Sequence, residues 1–124
     1  MNHYTFIAAN QTDLDWLNNE AARAESSQSI ALNSPNELSI LLNLFGSGVS
    51  IVPNLTIENL RAVWSASTVL NQVSEDDFEQ FYRSWIEESG RDNTMDEYGQ
   101  LQQLNAFVPT FNDAKHKLIG LESV

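Results

Sequence analysis

The sequence contains few of the residues that enzyme chemistry usually requires. It has no cysteine and two histidines, His3 and His116. Without cysteine the chain has no thiolate nucleophile, no Cys-ligated zinc site and no disulfide. A serine nucleophile would need a base beside it. We interpret His3 as a residue at a strand edge and His116 as a solvated residue near a helix end, so we predict no catalytic residue.

Two short motifs resemble sites for a metal ion or a phosphate. Asp113 and His116 stand three residues apart, a spacing that would place both on one helix face. Two ligands beside Lys115 and Lys117 do not make a metal site. The Gly46-Ser47-Gly48 turn resembles a phosphate loop, but no Lys-Ser or Lys-Thr follows it. We therefore predict no metal ion and no other cofactor.

The most distinctive cluster of ionisable side chains is acidic and lies in residues 74–92. It consists of Glu75, Asp76, Asp77, Glu79, Glu87, Glu88 and Asp92, with Arg83 and Arg91 as the basic residues. On a helical wheel, Asp76, Glu79 and Glu87 fall opposite the aromatic side chains of the same segment. Such a face is either solvated, which keeps a protein in solution, or it is a surface that binds a basic partner.

The overall charge favours the binding interpretation. The chain has 6 Lys and Arg against 17 Asp and Glu, which gives a formal net charge of −11. Such a field repels phosphate backbones and anionic lipids, so we expect neither nucleic acid nor a membrane as a partner. It attracts a basic protein and speeds its association. The predicted partner-binding residues are Glu75, Asp76, Glu79, Tyr82, Trp85, Glu87 and Glu88. Exposed edges of Tyr82 or Trp85 are the candidate aromatic anchor, and the alternative is that both rings belong to the core.

The length and hydrophobic content predict one folded domain over residues 1–124. The chain has 124 residues, of which 42% are hydrophobic, which is enough to build a core. Its longest apolar runs fall far short of the ~20 residues that a membrane helix needs. Its first residues lack the cationic region of a secretory signal. We therefore expect a protein of the bacterial cytoplasm.

Patterns at the two ends of the chain predict strands. Residues 3–8 alternate in the manner of a strand, and residues 117–121 form an apolar terminal strand. We expect these two strands to pair and to form a small sheet. Between them, Thr12 begins a helix over about residues 13–25, and the polar run 25–29 predicts a loop.

Capping signals predict four more helices. The first starts at Ser34-Pro35-Asn36-Glu37 and ends at Gly46. The others begin at Thr56, at Ser74 with a stop at Gly90, and at Thr94 or Asp96 with an end or kink at Pro109. In the second of these four, Leu60, Val63, Trp64 and Leu70 point inward. Val49–Val52 is either a short buried strand or an extended connector that ends at Pro53.

Together these elements predict an α+β fold in which about five helices pack on a small sheet of the N- and C-terminal strands. The order of three segments resembles the YfbM-like domain family of small bacterial proteins. These segments are the leucine-rich stretch Glu37–Gly46, the helix start Val73–Phe78, and the helix and strand of Leu101–Leu121. The resemblance implies a helix-rich α+β domain of unassigned biochemical role, and it transfers no catalytic residue.

The leading functional hypothesis is a non-enzymatic binding protein. In size, charge and lack of cysteine, the chain is similar to small acidic immunity proteins that neutralise basic bacterial nuclease toxins. Such an inhibitor would cover a cationic active site with acidic side chains around an aromatic anchor. The alternatives are a small carboxylate-dependent enzyme or ligand-binding domain with an unidentified substrate, and a subunit of an oligomer. The sequence leaves the oligomeric state open.

Overall fold

The computed structural model describes residues 2–9, 27–53, 57 and 59–122. The elements in these ranges are, in chain order, β1 (Asn2–Ala9), β2 (Ser27–Leu32), α1 (Pro35–Leu44), β3 (Val49–Ile51), β4 (Leu60–Ala66), α2 (Glu75–Ser89), α3 (Met95–Asp113) and β5 (His116–Glu122). The strands form one antiparallel sheet in the order β2-β1-β5-β4-β3. Within the described ranges, every helix is too short or too polar to cross a lipid bilayer.

The predicted pairing of the two terminal strands is confirmed. β1 and β5 run antiparallel, with His3 opposite Glu122 at one end and Ala9 opposite His116 at the other. β5 also pairs with β4, so it is the central strand of the sheet. β1 is buried on both faces: Tyr4 and Phe6 belong to the main core, and Ile7 belongs to a second cluster on the opposite face.

The main core lies between the sheet and the three helices, and eight of its 18 described buried residues are aromatic. Phe6 of β1 contacts Phe111 of α3 edge to face, with ring centroids 5.6 Å apart. Phe45 at the end of α1 contacts Phe81 of α2 at 4.8 Å. Trp85 of α2 is fully buried. These contacts hold α3 against the sheet and α2 against α1, with their apolar faces inward.

The predicted arrangement of about five helices on a sheet of two terminal strands is wrong. The structure has three helices in its described residues, and the sheet has five strands. The largest error concerns the helix predicted after Thr56, because Leu60–Ala66 is strand β4. Trp64 packs on the main core while its neighbour Val63 lies in the second cluster. A strand with apolar residues on both faces produces spacings that also fit a helix.

The loop predicted over residues 25–29 is wrong for residues 27–29, which begin β2. Ile30 and Leu32 are buried in the main core, whereas Ser29 shares a hydrogen bond with the Thr5 hydroxyl at 3.2 Å. Residues 25–26, the helix predicted over 13–25 and the cap predicted at Thr56 lie outside the described residues. Val49–Ile51 does form a strand, but this strand lies at a sheet edge with Ile51 65% exposed rather than buried.

Three predicted helix starts are confirmed. The Ser34 hydroxyl accepts a hydrogen bond from the Glu37 amide at 3.4 Å, and the Thr94 hydroxyl accepts one from the Glu97 amide at 3.1 Å. Ser74 precedes α2, where its hydroxyl donates to Asp77 instead. The predicted stop at Gly90 is also confirmed, because Gly90 has a positive φ of 72° and directly follows α2.

Of the two outcomes predicted at Pro109, an end or a kink of the helix, the end is wrong, because α3 continues through Pro109 to Asp113. Proline lacks an N–H, so the carbonyl four residues earlier, at Asn105, loses its helical partner. The Gln72 side chain donates to this carbonyl at 3.1 Å. The Asn105 side chain in turn bonds the Val73 backbone at both N–H and C=O, each at 2.9 Å. The segment before α2 thus supplies the missing hydrogen bond.

Replacing Gly99 or Gly90 by alanine should change the free energy of unfolding in opposite directions. A Cβ at either Gly99 or Gly90 would meet no atom within 4 Å. Gly99 lies within α3, where alanine is favoured over glycine by about 0.5–1 kcal/mol. Gly90 is left-handed, a conformation that costs a residue with a Cβ about 1 kcal/mol or more. In urea unfolding we expect Gly99→Ala to raise the free energy of unfolding and Gly90→Ala to lower it. Changes of the same sign would contradict this assignment of the two backbone conformations.

Candidate binding surface

A buried guanidinium lies where all three helices meet. Arg91, in the loop between α2 and α3, donates from Nη1 to Glu37 of α1 at 2.7 Å. Its Nε and Nη2 bond the two carboxylate oxygens of Glu97 in α3 at 2.8 and 3.0 Å. The side chains of this cluster are 8–10% exposed. The bidentate geometry to Glu97 is that of a strong, charge-assisted pair.

Both glutamates also accept a hydrogen bond from a group other than Arg91. Glu37 and Glu97 each lie three residues after the capping residue of their helix, Ser34 and Thr94. Glu37 accepts the backbone N–H of Asn33 at 2.9 Å. Glu97 accepts the indole N–H of Trp85 at 2.9 Å. Arg91 therefore connects the first turns of α1 and α3 with the buried side of α2.

The electrostatics of the cluster are consistent with a structural role. Burial alone would lower the pKa of the Arg91 guanidinium, but its bonds and ion pairs with Glu97 and Glu37 outweigh burial and raise that pKa. A cavity of about 350 Å³ lies beside the cluster, lined in part by Arg91, Asp92 and Glu97. Arg91 directs its bonds to carboxylates, so it is a poor receptor for an anionic ligand in this cavity.

The solvent-facing side of α2 carries the predicted acidic surface. We define the acidic face as five predicted partner-binding residues, all of which are exposed, namely Glu75, Asp76, Glu79, Glu87 and Glu88. Arg83 lies on the same side and pairs with Glu79 at 2.8 Å, with both side chains about two-thirds exposed. The structure thus brings five of the seven predicted side chains onto one exposed side of a single helix.

The other two predicted partner-binding residues, Tyr82 and Trp85, lie in the core. Tyr82 is 5% exposed and Trp85 is fully buried, so the prediction of exposed aromatic edges is wrong. Burial raises the pKa of the Tyr82 hydroxyl, which donates to the Asn93 side chain at 2.8 Å. The helical spacing that suggested an aromatic anchor is the spacing of the core-facing side of α2.

A groove that the sequence patterns did not predict runs along α3 beside the acidic face. Two neighbouring cavities of about 420 and 540 Å³ share Tyr98 and Gln102 in their linings. The half-buried Tyr98 ring packs edge to face on Phe78 and on Tyr82, with centroids 5.2 and 4.9 Å apart. We call these two cavities the Tyr98 groove. The sequence signals for it were an aromatic residue, Tyr98, and a glycine, Gly99, inside one helix.

A metal centre finds no support in the part of the chain that the structure describes, where no three His, Asp or Glu side chains are grouped to hold an ion. No family model, curated protein or solved structure matches the chain. The resemblance to YfbM-like domains therefore stays a prediction from the sequence.

Replacing the buried Arg91 should lower the free energy of unfolding far more than replacing the exposed Arg83. In Arg91→Met, two buried carboxylates lose their partner, which we expect to lower the free energy of unfolding by about 3–5 kcal/mol. Arg83→Met is the matched control, because Arg83 has an exposed pair worth less than about 1 kcal/mol. Chemical unfolding at pH 7 measures both. Equal losses would contradict the structural role of Arg91.

Proposed function

We propose that this protein is a non-enzymatic, acidic binding protein, specifically an immunity-type inhibitor that covers the cationic active site of a basic bacterial toxin nuclease. The observation that supports it best is the acidic face of α2. Five carboxylates there are exposed along one helix, and Arg83, the cation beside them on α2, is already paired with Glu79. A nuclease active site that holds phosphate has the complementary charge.

The packing of α2 supports a binding role for this face. Phe78, Phe81 and Trp85 anchor the opposite side of the helix in the core. The carboxylates are therefore presented on a rigid element and lose little backbone freedom when a partner binds. A preformed array of like charges speeds encounter with a basic partner and disfavours acidic ones.

The alternative of a carboxylate-dependent enzyme draws less support from the described residues. A general acid or base needs a carboxyl group free to exchange a proton with the substrate. In the cavity beside the ion cluster, Glu97 holds Arg91 and Trp85 instead, and the other carboxyl group of the lining, Asp92, is exposed to solvent. We therefore keep the binding protein as the conclusion, together with its expected place in the bacterial cytoplasm.

A neutralisation assay tests this function directly. The probe is a panel of basic bacterial nuclease toxin domains, each expressed with and without this chain in the same host. We expect growth to be rescued for at least one toxin, and purified protein to inhibit nucleic-acid cleavage by that toxin. The proposal is wrong if every toxin of the panel retains its toxicity and its cleavage rate in the presence of this protein.

Charge reversal on α2 should slow association with the neutralised toxin. We expect the association rate to fall from low salt to ~0.15 M, where the screening length is about 8 Å, while dissociation changes less. At low salt, Glu87→Lys should slow association severalfold. Stopped-flow mixing measures both effects.

Asp113→Lys provides a control with the same change of charge. Asp113 is exposed in the last turn of α3, as Glu87 is in that of α2, so either lysine suits its helix dipole. Along α3, Asp113 lies about 27 Å from Met95, at roughly 1.5 Å per residue, so it is remote from the end of α2 that carries Glu87. Equal slowing by both variants would indicate a general charge effect and contradict the assignment of the acidic face.

A further inference from the structure

We propose that the Tyr98 groove receives a lysine or arginine side chain from a segment of the basic partner. This inference rests on the proposed function and deepens it, since it replaces the buried Tyr82 and Trp85 with a different anchor site. A tight complex needs an apolar anchor as well as complementary charge. The groove places apolar surface next to Glu75 of the acidic face.

The lining of the groove suits the stem of a long cationic side chain. One cavity is lined by Phe78, Tyr98 and the carboxylate-bearing Glu75, and the other by Met95, Tyr98 and Gly99. The aromatic surface can pack on the methylene stem of Lys or Arg and attract its charge through the ring quadrupole. Glu75 supplies a carboxylate at the wall.

Met95 gives the groove an exposed and adaptable apolar edge. Its side chain is 91% exposed, the highest value among the exposed large hydrophobic residues of the described chain. Methionine is flexible and polarizable, properties that suit a surface that adjusts to a partner. Unlike the other exposed hydrophobics, Ile51 and Val69, it lines the groove beside α2.

Gly99 keeps the floor of the groove open. A glycine inside a helix costs stability relative to alanine. Nothing lies within 4 Å of the position where its Cβ would be, so core packing does not require a glycine there. A larger side chain would instead project into the cavity that Gly99 lines. The glycine is thus explained by access to the groove.

The negative charge around the Tyr98 groove determines which kind of partner segment binds there. Besides Glu75 in the wall, Asp76, Asp92 and Asp96 are exposed on the adjoining parts of α2, the loop and α3. This surface favours a cationic segment over an acidic or neutral one. A second copy of this chain is disfavoured, because each copy carries a net charge of −11.

A methyl-labelling experiment tests the groove without the toxin. The chain has two methionines, Met1 and Met95, so ¹³C-methyl methionine gives two signals, which Met95→Leu assigns. The probe is the peptide acetyl-Gly-Arg-Gly-Lys-Gly-amide, and its control has citrulline and norleucine at the two basic positions. We expect the cationic peptide to shift the Met95 methyl and the Gly99 amide saturably, and the neutral peptide to shift them far less.

Three variants connect this binding to the groove. Gly99→Leu fills the groove with a good helix former, so it should stay folded and abolish the saturable shift of the Met95 methyl. Glu75→Gln should weaken binding about threefold, the range of an exposed charge pair. Asp113→Asn removes one charge elsewhere and should leave the affinity unchanged. Equal shifts with the neutral peptide, or unchanged binding to Gly99→Leu, would overturn the proposal.

The same experiments distinguish a second copy of this chain from a basic segment as the occupant of the groove. They also distinguish failure of the groove proposal from failure of the inhibitor function. If sedimentation shows a dimer of the parent that Gly99→Leu dissociates, the groove binds a second copy and the proposal is wrong. If the cationic peptide binds but no toxin is neutralised, the groove stands as a cation site and the inhibitor function fails. If a toxin is neutralised equally by the parent and by Gly99→Leu, the inhibitor function stands and the groove inference fails.

Discussion

The two-sided pairing of Arg91 is the contact on which the arrangement of the helices depends. One guanidinium, 9% exposed, bonds a glutamate in the first turn of α1 and another in the first turn of α3, while the second glutamate also holds the indole of Trp85 in α2. A buried pair of this kind adds little net stability, because removing charges from water is costly. Its value is geometric: it specifies where the three helix ends must meet.

That constraint determines which side of α2 faces the solvent. Once Trp85 is tied to Glu97, the aromatic stripe of α2 lies against α1 and α3 and its carboxylates point outward. The same rotation brings Phe78 and Tyr82 under Tyr98, so the groove along α3 lies directly beside the acidic face. We predicted that one helix supplies both the acidic side chains and the apolar anchor of the binding surface. In the structure, α2 and α3 together supply them.

Local signals predicted much of this fold, whereas signals that depend on distant partners did not. Ser34, Gly90 and Thr94 act through hydrogen bonds or φ angles within a few residues, so their roles can be read from the sequence. Strand β4 depends on pairing with β3 and β5, and propensity alone does not reveal such partners. The prediction that Tyr82 or Trp85 has an exposed edge was wrong for the same reason. A helical stripe shows which residues share a face, and only tertiary packing decides whether that face is covered.

The pairing of β1 with β5 has a consequence for how the chain folds during synthesis. Strand β1 finds its neighbour in the sheet centre only after residues 116–122 have been made, and closing a loop of this length costs on the order of 4 kcal/mol of chain entropy. The β3–β4 and α2–α3 hairpins are local and can form earlier. A nascent chain therefore holds an apolar strand without its β5 partner until residues 116–122 have emerged. The high density of acidic residues then helps to keep growing chains apart on neighbouring ribosomes.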